Sequence, residues 1–121
     1  MAGAPTAGVP RFTQVLVRPP ADSYADGLTT AGLGAPVLAD ARAQHAAYCA
    51  ALRACGVSVI ELPEDAAHPD SCFVEDTAVL LPEGAMLMRP GAPSREGEVE
   101  GVRGPLAAAF PALARIVAPG T

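Results

Sequence analysis

The chain of 121 residues has no tryptophan, and no lysine occurs anywhere in it. Aromatic residues make up only 4% of the sequence, so a core must be packed from Val, Leu, Ile and Met. Much of the apolar half of the composition is alanine, which buries little area per residue. Positive charge is scarce too. The basic residues are all arginines and stand singly: Arg11, Arg18, Arg42, Arg53, Arg89, Arg95, Arg103 and Arg115. Against 13 acidic groups they leave a net charge of −5 and an isoelectric point near 4.8. Such a surface offers phosphate no basic face, which excludes nucleic acid as the expected partner.

Other absences narrow the class further. Cys49, Cys55 and Cys72 are odd in number and lack CxxC spacing, which fits neither a disulfide framework nor a zinc motif and reads as buried free thiols in a reducing compartment. No apolar run is long enough to span a membrane. Residues 1–10 lack the basic and apolar regions of a signal peptide and read as a flexible leader, so the cytoplasm is the expected location.

What is present fits one modest α/β domain over residues 11–121. Arg11–Arg18 is strand-like and ends at Pro19-Pro20. A glycine-bearing loop follows, and Pro36–Cys55 has helical spacing through Leu38, Ala41, His45, Tyr48, Cys49, Leu52 and Cys55, with Gly56 as the stop. Val57–Leu62 reads as a strand, Phe73–Leu81 as another, and Ala85–Arg89 as its hairpin partner after Pro82-Glu83-Gly84. Val99, Val102, Leu106 and Phe110 mark a poorer helix, which Gly101, Gly104 and Pro105 weaken or break near Gly104. Ala112–Val117 begins a last strand. Two halves of similar plan hint at a structural repeat.

The most informative stretch is His68-Pro69-Asp70-Ser71-Cys72-Phe73-Val74-Glu75-Asp76-Thr77-Ala78. It sets three carboxylates against an apolar run, and buried carboxylates are costly unless a cation neutralises them. A planar guanidinium suits them best, because its forked donors match carboxylate oxygens two at a time. If the strand geometry extends back far enough, Asp70 and Asp76 share a face while Glu75 points the other way. The plainer reading is a solvated edge, with Asp76 paired to Arg89 across the hairpin. His45 reads as a helix packing or surface histidine and His68 as an exposed loop histidine. Met86 and Met88 read as core filler.

Three stretches in order, Ala25-Asp26-Gly27-Leu28-Thr29, Pro69 to Asp76 and Arg89 to Arg95, closely resemble the dimethylarginine dimethylaminohydrolases of the guanidino-group-modifying, or pentein, superfamily. The resemblance implies part of a five-bladed α/β propeller, about its first two ββαβ-type modules. It implies a substrate-binding role for Asp70 and Asp76 at the guanidinium, with Glu75 beside them. It further implies Arg95 at the substrate carboxylate and Leu28 as a loop residue lidding the site. The family's reaction turns N-methylated arginine into citrulline and a methylated amine through a covalent cysteine intermediate, with no cofactor and no metal. The catalytic Cys, His and a further Glu are expected beyond Thr121, so this chain alone is expected to be inactive. Cys72 is a poor substitute, because acidic neighbours raise a thiol pKa. The resemblance leaves room for a homodimer. Arginine deiminases and amidinotransferases share the fold and the carboxylate logic. A different class also remains, a non-catalytic chain that binds arginine-like cations, although part of a propeller standing alone would leave sheet edges and apolar faces uncovered.

Overall fold

The computed structural model describes residues 12–28, 32 and 34–117; the leader read at residues 1–10 lies outside them. Strand β1 (Gln14–Val17) leads through helix α1 (Leu38–Ala54) to β2 (Ser58–Glu61). β1 and β2 pair in parallel, with Gln14 opposite Ser58 and Val17 opposite Glu61. The prolines after Val17 and Leu62 end both strands, since proline has no donor for the ladder. Helix α1 stops where Gly56 adopts φ +87° and returns its N–H to the Arg53 carbonyl at 3.0 Å. A side chain would be strained there.

The second unit repeats the plan. β3 (Ala78–Leu81) and β4 (Gly84–Leu87) form an antiparallel hairpin with Leu81 opposite Gly84. Helix α2 (Glu100–Ala109) then carries the chain to β5 (Leu113–Arg115), which pairs with β4 in parallel. Each unit therefore contains a parallel pair bridged by one helix, and the second adds a hairpin strand. The core lies under the second unit, where Leu62, Ala85, Leu87, Val99, Val102 and Leu106 are buried together. Among the described residues no helix is long and apolar enough to cross a membrane.

Four expectations are corrected. Phe73–Leu81 is not one strand: Val74–Thr77 form a 3₁₀ turn, and only Ala78–Leu81 are extended. Thr77 donates its hydroxyl to the Val74 carbonyl at 2.6 Å, a local bond that competes with the sheet ladder. Helix α2 runs unbroken through Gly104 and Pro105. Pro105 removes one N–H, but burial of Val102 and Leu106 outweighs that loss. Met86 is not core filler; it faces outward from β4, while its neighbours Ala85 and Leu87 point into the core. Only Cys49 is a buried thiol, Cys55 being exposed and Cys72 intermediate.

Candidate functional site

The loop from His68 to Thr77 is built from tight turns. Ser71 donates its N–H to the His68 carbonyl, Phe73 to Asp70 and Asp76 to Phe73, at 3.0, 3.1 and 3.2 Å. In such three-residue turns, side chains at i and i+3 lie one above the other. Asp70, Phe73 and Asp76 recur every three residues through these turns and line one cavity, a spacing other than the strand period of two. Six residues are a whole number of repeats for either period, so Asp70 and Asp76 share a side although the extended geometry is absent. Phe73 lies between them, which the alternating pattern could not have predicted.

These three residues join Leu28 and Arg95 to line a cavity of about 290 Å³. Asp70 is buried, and its Oδ2 accepts the Leu28 backbone N–H at 3.1 Å. Gly27 makes that approach possible: a Cβ there would lie 2.4 Å from Asp70 Oδ1. Glu75 is exposed and does not line the cavity. A larger hollow of about 420 Å³, lined by residues that include Arg89, Glu96 and Arg115, lies elsewhere and gathers no carboxylate pair. The smaller cavity is the better site, because polar groups converge on it.

Arg95 is the anchor of the arrangement. Its Nε and Nη2 donate to the two oxygens of Glu98 at 3.0 and 2.8 Å, and its Nη1 donates to Asp76 Oδ2 at 2.8 Å. Nη2 also reaches the carbonyls of Asp70 and Phe73, each at 3.2 Å. The guanidinium thus ties the 3₁₀ segment Pro93–Val99 to the acidic loop. The Glu98 bonds push its pKa further up, with Asp76 adding to the effect against some desolvation, so the charge is permanent. Asp76 pairs with Arg95 and not with Arg89, which meets Glu96 at 3.5 Å instead. Glu98, buried and bidentate, escaped the sequence reading. Its signal was present as an i, i+3 partner of Arg95.

The nearby thiol and histidine serve other ends. Burial raises the Cys72 thiol from 9.0 to about 11, with Glu75 and Asp70 adding to the rise. A thiol held protonated in this way is no nucleophile at neutral pH. His68 is not an exposed loop histidine. Its Nδ1 lies 2.7 Å from Asp65 Oδ2, and its Nε2 would be 2.4 Å from a Cβ placed on Gly97. It packs the acidic loop against the Pro93–Val99 segment.

No protein-family model matches the chain. Individual relatives do. The N(G),N(G)-dimethylarginine dimethylaminohydrolase of Pseudomonas aeruginosa is 44% identical over 111 residues, covering 91% of this chain and 44% of that protein. Its namesake from Streptomyces coelicolor is 38% identical over 97 residues, covering 74% of this chain and 35% of its own length. The solved Pseudomonas aeruginosa enzyme, a cysteine-to-serine mutant complexed with citrulline, superposes with a TM-score of 0.88 over 91% of this chain and 44% of that one. Over the part it spans, the chain is homologous to the dimethylarginine dimethylaminohydrolases. It spans less than half the length of these relatives. A second solved dimethylarginine dimethylaminohydrolase, an adduct with S-methyl-L-thiocitrulline, gives a TM-score of 0.89 over 92% of this chain and 44% of that one. The N-terminal domain of ArgZ, an arginine dihydrolase, is 18% identical with a TM-score of 0.74 over 86% of this chain and 40% of that one, and shares the fold alone. The architecture is accordingly a partial pentein fold of mixed α/β type.

Proposed function

We propose that this chain supplies the substrate-recognition part of a hydrolase that converts asymmetric N-methylated arginine to citrulline and a methylated amine. The reading is carried by one observation: Asp70 and Asp76 converge on a cavity that Leu28, Phe73 and Arg95 complete. In it, Asp70 and Asp76 receive the substrate guanidinium, while the ring of Phe73 between them offers an apolar surface to the N-methyl groups. Glu75 adds negative potential from outside the cavity. Leu28, whose N–H is committed to Asp70, keeps its carbonyl for the substrate ammonium. Arg95 meets the substrate carboxylate. Held carboxylates fix the guanidinium carbon for attack, where positioning lowers the barrier. The attacking thiolate comes from outside these residues, since the Cys72 thiol is pushed up to about 11.

The identity of 44% to a dimethylaminohydrolase, against 18% to an arginine dihydrolase, favours methylated arginine over arginine. Calorimetric titration of the 121-residue chain with asymmetric dimethylarginine tests recognition, with arginine as the comparison. Asp70→Asn and Asp76→Asn should each weaken binding by at least about tenfold, as removal of a charged hydrogen-bond partner does. Unchanged affinity in both variants would remove the pocket from the proposal, and tighter binding of arginine would favour a deiminase. Citrulline should not form in any of these mixtures.

A further inference from the structure

Helix α1 has 17 residues but buries only Cys49, and the contact that this thiol makes with β2 is chemically unusual. His45 Nε2 lies 3.5 Å from Cys49 Sγ, across one helical turn. Glu61 Oε1, on β2, lies 3.9 Å from the thiol and 3.9 Å from the same imidazole nitrogen. These three ligand atoms all fall within 4.8 Å of one another. Around a tetrahedral zinc ion, ordinary bond lengths place S and N about 3.5 Å apart, N and O about 3.4 Å, and S and O about 3.6 Å. The sulfur–nitrogen edge is already met, and the carboxylate needs to move by less than about half an ångström. Arg53 Nη2 lies 3.7 Å from Glu61 Oε2. It thereby holds one oxygen and leaves Oε1 turned toward the cluster. No zinc motif is visible in the sequence here because two ligands are four apart on a helix and the third comes from the following strand.

We propose that His45 Nε2, Cys49 Sγ and Glu61 Oε1 form a three-ligand site for a thiophilic divalent cation such as Zn²⁺, separate from the guanidinium pocket. The fourth position is left to water. On binding, the Cys49 S–H bond gives its proton to solvent and the thiolate forms the bond to the metal. His45 binds through Nε2 and Glu61 through Oε1 of its carboxylate. One proton leaves for each metal bound at neutral pH, and the thiolate and carboxylate together balance the ion's charge. The metal would clamp α1 onto β2 at the one place where the helix is buried.

Cobalt(II) is the probe, added to the full 121-residue chain. A near-ultraviolet thiolate-to-cobalt band and a tetrahedral visible band should appear together, saturate at one equivalent and be displaced by zinc. His45→Gln, Cys49→Ala and Glu61→Gln should each weaken binding by at least about tenfold, the smallest loss seen when even an outer partner of a metal is removed. Glu61 is half-exposed, so its variant should retain native helix content and keeps the result interpretable if Cys49→Ala unfolds. The double variant Cys55→Ser, Cys72→Ser should bind as the parent does. Absence of a band, a band that survives Cys49→Ala, or loss of the band in the double variant would overturn the site.

Discussion

Glu98 does not line the cavity of Asp70 and Asp76, yet it holds Arg95, which does. Its side chain is 2% exposed and grips Arg95 with both oxygens. Removing one partner of a buried pair leaves the other charge uncompensated, at a cost of about 3–5 kcal/mol. Glu98→Ala should therefore lower urea-unfolding stability by roughly that range, reduced somewhat because Arg95 keeps Asp76 and two carbonyls. Glu98→Gln keeps the shape and one acceptor and should lose less. Equal stability of parent and Glu98→Ala would mean that Arg95 is held by the loop alone. Cys72 provides a second residue-level expectation. Its thiol rises from 9.0 to about 11 on folding, so the unfolded chain deprotonates first. Between those two pH values the unfolded state binds fewer protons, and stability falls as pH rises; below them the group contributes nothing. Near pH 8, alkylation should accordingly mark exposed Cys55 well before Cys72, as peptide mass mapping would show.

At the scale of elements, the sequence was legible wherever a single period governs. The strands at β1, β2 and β4, the long helix and the order of the seven strands and α-helices among the described residues follow from apolar spacing and from proline or glycine stops. The acidic loop was not legible in the same way, because Val74 and the apolar run after it imitate a strand while the turn hydrogen bonds of Phe73 and Asp76 override the pattern. Asp70 and Asp76 line one cavity under either period, because their six-residue spacing fits both. Phe73, read at the wrong period, was lost, and so was Glu98, whose partner lies a turn away in a segment that reads as loop. Helix α2 was underrated for another reason: propensity counts Gly104 and Pro105 against it, whereas burial of Val102 and Leu106 is a tertiary term. Pro105→Ala should then stabilise the chain by roughly 1–3 kcal/mol, since proline in a helix interior is about 3 kcal/mol worse than alanine and part of that is returned by the unfolded state. Thermal unfolding measures it. A destabilised variant would show that the proline ring makes contacts worth more than the missing hydrogen bond.

At the scale of the whole molecule, the two units bury their apolar residues unevenly. Val79 stands opposite Met86 on the outward face of the β3–β4 hairpin, and these residues are 49% and 42% exposed, with Leu81 beside them at 59%. β3 is also an edge strand, so an uncovered apolar strip and unpaired backbone groups coincide. Monomeric proteins seldom leave such a strip open, and an apolar edge strand is a template for pairing. In relatives more than twice as long as this chain, additional chain exists that could cover a face of this kind. Studied alone, the 121-residue chain should self-associate as its concentration rises, which sedimentation velocity would detect. Lysines at the two outward positions of the edge strand, Val79→Lys with Leu81→Lys, should suppress that association, because charge on an edge opposes pairing. Binding at the cavity lined by Asp70 and Asp76 should not change, as neither residue lines it. If the parent stays monomeric at every concentration, the exposed hairpin face is not sticky, and the apolar character of Val79, Leu81 and Met86 would need another cause.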